Sequence, residues 1–174
     1  MVARSTQTFL FADLAGYSAL TEAHGDETAA DLAADFCQAV TEAAGSEGEM
    51  VKTIGDAVML RYEDTAAAIR LGLQIPHELW TGHGLPAAAV GIHSGPAVER
   101  GGDWFGSTVN VAARLAALAA GGEVLVSAVA RDAGGEVPGI RYQHLGDKEL
   151  RNVATPVSVF AVELEERPNR KSVV

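Results

Sequence analysis

Cysteine is almost absent from this chain: Cys37 is the single one in 174 residues. No internal disulfide can form, which points to a reducing, cytoplasmic setting. Also missing is any block of basic residues. The formal net charge is −10, from 13 Lys and Arg against 23 Asp and Glu, so attachment to nucleic acid or to an anionic membrane by bulk electrostatics is not expected. An anionic small molecule would have to be held by local devices: metal ions, helix N-termini and a few placed Lys or Arg. No apolar run reaches membrane-span length, and the run before Asp13 is too short for a signal peptide. The five histidines and Cys37 show no metal-ligand spacing. Internal repeats and long linkers are missing too. What is left is ordinary globular composition, 48% hydrophobic and 21% charged, long enough for one domain that buries about 70% of its unfolded surface. That domain is expected over residues 1–163, with the charged end, 164–174, expected to be disordered.

Along the chain, residues 8–13 (TFLFAD) form a short, almost continuously apolar run that reads as a central strand ending in Asp13. A turn through Gly16 follows, then one long helix over about 19–44 with Ser18 as its cap. Residues 50–62 (MVKTIGDAVMLRY) place two apolar arms around Gly55-Asp56, the pattern of a tight hairpin. Asp64 caps a second helix that Pro76 should kink or end before Trp80. Residues 87–94 read as a buried strand and 95–106 as a glycine-rich connection. Ser107 and Thr108 open a third helix that stops before Gly121-Gly122. Strands at 123–127, 141–146 and 156–162, and a short helix at 128–133, complete the chain. The hairpin rules out an all-parallel sheet. An α+β fold with a ferredoxin-like βαββαβ core and extra C-terminal strands fits this order.

Three places carry chemistry. Asp13, at a strand end before a glycine turn and a helix start, suits a corner for metal and phosphate, though a surface Asp ending a strand reads the same way. Lys52 lies four residues before Asp56, so one hairpin can present a cation and a carboxylate together; Gly-Asp is also ordinary turn chemistry. Asn110 and Arg114, four apart, lie on one helix face. They form either a wet face or an amide and a guanidinium aimed at one phosphate-bearing ligand.

Taken in order, FADLAGYS, VKTIGDAVM, GIHSGP and DWFGSTVNVAAR resemble the catalytic domain of class III nucleotidyl cyclases, of a bacterial type with a short dimerisation arm. The resemblance runs over residues 8–162, and LGDKELRNVATPV resembles the family's closing segment. It implies conversion of a nucleoside triphosphate to a cyclic nucleotide and pyrophosphate, for signalling, at sites shared across a homodimer. Two divalent ions, Mg²⁺ or Mn²⁺, would be held by Asp13, Asp56 and the Leu14 carbonyl. The turn through Gly16, Tyr17 and Ser18 would hold the β- and γ-phosphates, Asn110 would orient the ribose, and Arg114 would stabilise charge on the α-phosphoryl group. No side chain stands out as a general base.

Lys52 and Asp103 match the family's base-reading pair. Lysine donates only and an ionised carboxylate accepts only, which fits adenine N1 and N6 and mismatches guanine at both contacts. ATP is therefore the expected substrate, with discrimination of roughly 10⁴-fold within reach of such pairing. In structural terms alone, Lys52 could snorkel from a strand edge and Asp103 close a glycine turn. Two departures stand out. Arg151 occupies the place where the family often has a lysine for the terminal phosphates, and a planar fork is not a point charge. Only residues 96–102 separate the GIHSG strand from Asp103, which leaves little room for a dimerisation arm; dimers would then be weak, substrate-driven, or dependent on a regulatory domain or protein outside this chain. Arg100, in that segment, is a looser phosphate candidate, and His93 reads as a satisfied structural histidine. Two rival functions remain: a catalytically silent nucleotide-binding domain, and a diguanylate cyclase-like enzyme suggested by GGDWF. Trp104 stands where the latter signature needs a metal-binding acid.

Overall fold

A computed structural model describes residues 5–82 and 84–165. Its first strand, β1 (Ser5–Leu14), is buried from Gln7 through Ala12, because neighbours flank it on both edges and helices cover its faces. The sheet that follows is mixed. β2 (Gly48–Ile54) and β3 (Ala57–Tyr62) form the hairpin, and β4 (Ala88–Arg100) pairs antiparallel with β1. β6 (Val124–Ser127) lies parallel to β4, and β8 (Val157–Leu164) and β7 (Ile140–Lys148) close that side. The strand order is β2-β3-β1-β4-β6-β8-β7, with β5 (Asp103–Phe105) attached to β4. The first four core strands, in the order β2-β3-β1-β4, are the expected ferredoxin-like core, and β6 to β8 are the extra strands. The charged end expected to be disordered lies, from residue 166 on, outside the described residues.

Helices α1 (Tyr17–His24), α2 (Asp26–Ala44) and α3 (Thr65–Gln74) accompany one face. On α2 the buried residues Ala29, Ala33, Phe36, Val40 and Ala44 recur at helical spacing, and Phe36, Val40 and Ala44 pack with Leu10, Leu60 and Ile69 in the main core. The long helix expected over 19–44 is in fact broken at Gly25, whose φ of 86° no helix accommodates. Ser18 is not a cap either: α1 starts a residue earlier, after Gly16, with no side-chain cap bond. Asp64 does cap α3, accepting from the N–H groups of Ala66 and Ala67. After Gln74 the helix widens through Pro76 into a π-type turn that ends at Leu79, because proline cannot donate to the preceding turn.

The opposite face carries α4 (Ser107–Leu118), packed on β4 beside a cluster of Phe9, Phe11, Met59 and Trp104. Gly91 makes that approach possible: a Cβ there would land on the backbone of Ala112, Leu115 and Ala116. Gly91→Ala is therefore expected to lift α4 from the sheet and cost about 2–3 kcal/mol. A thermal unfolding midpoint within one degree of wild type would contradict that packing.

Candidate active site

Asp13 and Asp56 come together at one end of the sheet. β1 and β3 run in register as far as Ala12 opposite Val58, so the last residues of β1 meet the hairpin turn. There Gly55, at φ 59°, makes the two-residue loop possible. Asp56 Oδ2 accepts the backbone N–H of Leu14 at 3.0 Å. Among the described residues no cation pairs with either carboxylate. Burial first, and the nearby Asp56 charge second, push Asp13 up to about 6. Two carboxylates crowded together with no cation are a fitting donor set for a divalent ion. No cluster of three or more His, Cys, Asp or Glu side chains occurs among the described residues. The remaining ligands would have to be backbone carbonyl, phosphate or water oxygens, which suits a hard ion.

The sign of the Asp13 shift sets a pH test. Its folded pKa lies above the ordinary carboxylate value, so the metal-free fold is favoured while Asp13 is protonated. That advantage is lost as pH rises towards and through about 6. With chelator present, Asp13→Asn should gain stability relative to wild type across that window, and added Mn²⁺ should reverse the order. A difference that is flat with pH would remove the burial argument.

Beside this corner, Gly16 is left-handed at φ 74° and turns the chain into α1. The Ala15 N–H is already spent on the Ala87 carbonyl at 2.8 Å. Tyr17 and Ser18 open the helix, and their N–H groups lie in the first turn, where no intrahelical acceptor exists.

Lys52 and Asp103 also meet, with Lys52 Nζ donating to Asp103 Oδ2 at 2.7 Å. Two features bring them together. The first is a bulge in β2: Met50 faces Leu60 and Lys52 faces Met59, so Val51 is an extra residue. Val51 packs beside Phe9 and Trp104, and Lys52 is re-aimed to that same face. The second is that residues 95–106 are not a loose connection, as their glycines suggested. β4 continues to Arg100, Gly101 and Gly102 turn at positive φ, and β5 returns with Arg100 opposite Asp103. This hairpin arches over β1 and β3: Trp104 rests on Phe9, with ring centres 5.9 Å apart, and Asp103 reaches β2. Lys52 leads the causes that hold the Asp103 carboxyl below its ordinary range, followed by the N–H of Trp104.

Asn110 is exposed and Arg114 half-buried on α4; neither side chain has a hydrogen-bond partner among the described residues. Arg151 is exposed in the turn between β7 and β8, where Asn152 takes the only positive φ of a described non-glycine residue, 62°. Nothing joins Arg151 to the other candidates. His93 is half satisfied: its Nδ1 lies 2.6 Å from Ser127 Oγ, and burial pushes the ring down to about 4.

Two carboxylates thus meet at one end of the sheet, Lys52 and Asp103 pair where the β4–β5 hairpin reaches β2, and α4 carries the guanidinium of Arg114. A model of the adenylate and guanylate cyclase catalytic domain family matches residues 3–163, and this chain belongs to that family. It is 37% identical over 158 residues to a pH-sensitive adenylate cyclase of Mycobacterium tuberculosis, covering 89% of this chain and 40% of that protein. An adenylate cyclase of Streptomyces griseus is 36% identical over 117 residues, covering 67% of this chain and 29% of its own length. The chain thus spans less than half of the curated relatives it matches. Among solved structures, an adenylate/guanylate cyclase/hydrolase from Silicibacter pomeroyi superposes with a TM-score of 0.76 at 29% identity, covering 94% of this chain and 99% of the other. The adenylyl cyclase CyaB from P. aeruginosa shares the fold, with a TM-score of 0.79 at 22% identity and 95% and 97% coverage.

Proposed function

We propose that this chain is an adenylate cyclase domain that converts ATP to 3′,5′-cyclic AMP and pyrophosphate, with sites shared across a homodimer. The Lys52–Asp103 pair carries this reading, because two distant segments are brought within 2.7 Å for no evident structural gain. Each is about a third exposed, and surface ion pairs contribute little to stability. Donor and acceptor side by side match the acceptor N1 and the donor amino group of adenine, so both contacts can form without separating the pair.

Asp13, Asp56 and the Leu14 carbonyl would hold two divalent ions, Mg²⁺ or Mn²⁺. When bound, these would supply activation of the ribose 3′-hydroxyl and neutralise the departing pyrophosphate. Residues Gly16, Tyr17 and Ser18 would bind the terminal phosphates through first-turn N–H groups, with Arg151 as a further cation for them. Asn110 would orient the ribose. Arg114 would bind the α-phosphoryl oxygens as their charge grows in the in-line displacement. Ile54 and Phe105 are more than half exposed on the two elements that carry the base-reading pair, which supports a second copy of the chain as their cover. The lone cysteine supports a cytoplasmic setting, and no described helix is long and apolar enough to cross a membrane.

The deciding experiment is product formation from ATP and, separately, GTP, with Mn²⁺ and then Mg²⁺, over a range of protein concentrations. Cyclic AMP whose specific activity rises with protein concentration is expected. No cyclic product at any concentration, with Mn-ATP bound, would make this a silent nucleotide-binding domain. A cyclic dinucleotide from GTP would make it a diguanylate cyclase.

A further inference from the structure

Trp104 is the side chain on which the arching β4–β5 hairpin rests, yet its own polar atom does not hold it. The indole Nε1 is buried with no hydrogen-bond partner, so the ring is fixed through its faces and edges alone. Phe9 supplies one contact. The other is the guanidinium of Arg61, whose carbon lies 5.1 Å from the ring centre. Arg61 stands on β3, opposite Phe9 on one side and Glu49 on the other, and its side chain is only 17% exposed. Its fork is clamped. Nη1 donates to Gln7 Oε1 at 2.7 Å, and Nε donates to Glu49 Oε2 at 3.1 Å. A guanidinium held in its own plane by Gln7 and Glu49 can still offer its flat face to an aromatic ring, an arrangement lysine cannot reproduce.

What rests on Trp104 is the orientation of its neighbour. Asp103 Oδ1 accepts the backbone N–H of Trp104 at 2.7 Å, and Oδ2 accepts from Lys52. The carboxylate is thereby aimed from two sides, and one of them moves with the indole. We propose that Arg61 is a positioning residue for base selection: held by Glu49 and Gln7, it seats Trp104, and Trp104 aims the Asp103 carboxylate at the adenine amino group. This deepens the assignment of Lys52 and Asp103 as base-contacting residues and rests on it. Arg61 touches no substrate in this scheme. Its effect falls on discrimination and KM, with a smaller effect on kcat.

The test compares Arg61→Gln and Arg61→Lys with wild type for kcat and KM on ATP and GTP, and for Trp104 fluorescence in a Trp80→Phe background. Arg61→Gln should raise KM for ATP and lower the ATP-to-GTP ratio of kcat/KM, each by about tenfold. It should also shift the Trp104 emission. Arg61→Lys keeps a cation but not the fork, and should recover part of both effects. A folded Arg61→Gln variant with the wild-type ratio overturns the proposal, as does an unchanged Trp104 emission. An Arg61→Lys variant as impaired as Arg61→Gln overturns the role of the cation. Should Arg61→Gln fail to fold, Glu49→Gln loosens the same clamp and must change the ratio in the same direction for the proposal to stand. Lys52→Ala, measured in parallel, separates the two levels. If it leaves the ratio unchanged, the base-contacting pair is wrong, and the Trp104 emission still decides whether Arg61 seats the indole.

Discussion

Asp56→Asn is expected to lower cyclic AMP formation by about 10³-fold while leaving the chain folded. Loss of one of two carboxylates removes several kcal/mol of charge stabilisation from a site of this kind, and about 4 kcal/mol corresponds to a thousandfold in rate. The fold is spared because the asparagine carbonyl oxygen can still accept the Leu14 N–H that Asp56 Oδ2 accepts now. The substitution also removes one of the two causes that raise Asp13, so that group should titrate lower than about 6, without reaching its ordinary value, since burial is the larger cause. Turnover, circular dichroism and the pH dependence of Mn²⁺ binding by titration calorimetry check the three parts. A folded variant that binds Mn²⁺ as wild type does and turns over normally would remove Asp56 from the metal site.

The second large effect concerns the base. Lys52→Glu combined with Asp103→Gly should abolish the preference for ATP over GTP. Glutamate accepts where lysine donates, and the glycine removes the acceptor that fits the adenine amino group. Sites of this kind can discriminate by roughly 10⁴-fold because the wrong base leaves desolvated groups unpaired. The expected result is an ATP-to-GTP ratio of kcat/KM near one or inverted. A double variant with the wild-type ratio would show that the pair does not read the base. The Lys52–Asp103 contact lies on a partly exposed surface, so its loss is not expected to unfold the chain.

Much of this was legible in the residues. The hairpin around Gly55-Asp56, the cap at Asp64 and the helix from Ser107 are local features, set by turn chemistry and periodicity within a few residues. The meeting of Asp13 with Asp56 was implied by the resemblance to the cyclase family, since neither segment by itself says which turn a strand end will face. What escaped reading depended on partners elsewhere in the chain. Gly25 sits in a sequence that a continuous helix tolerates, and only its φ of 86° ends α1. The bulge at Val51 exists only relative to β3, because a single strand has no register. Residues 95–106 read as a glycine-rich connection; yet Gly101 and Gly102 make one tight turn, Gly106 leads into α4, and the rest continue in strands. Arg61 and Trp104 gave no signal, because their meeting is made by the arch of a hairpin over the sheet.

The extra residue in β2 means that this strand carries two phases of alternation. Before Val51, even-numbered residues look towards α2, as Met50 does opposite the core residue Leu60. After it, Lys52 looks the other way, opposite Met59. The count that sets the spacing of Lys52 and Asp56 therefore runs from the bulge to the hairpin tip, independent of the length of the arm before it. In this geometry a residue gained or lost near Gly48 would leave Lys52 in place, whereas one residue more or less between Val51 and Gly55 would turn Lys52 away from Asp103. In the proposed site, Lys52 is thus placed by parity as much as by identity.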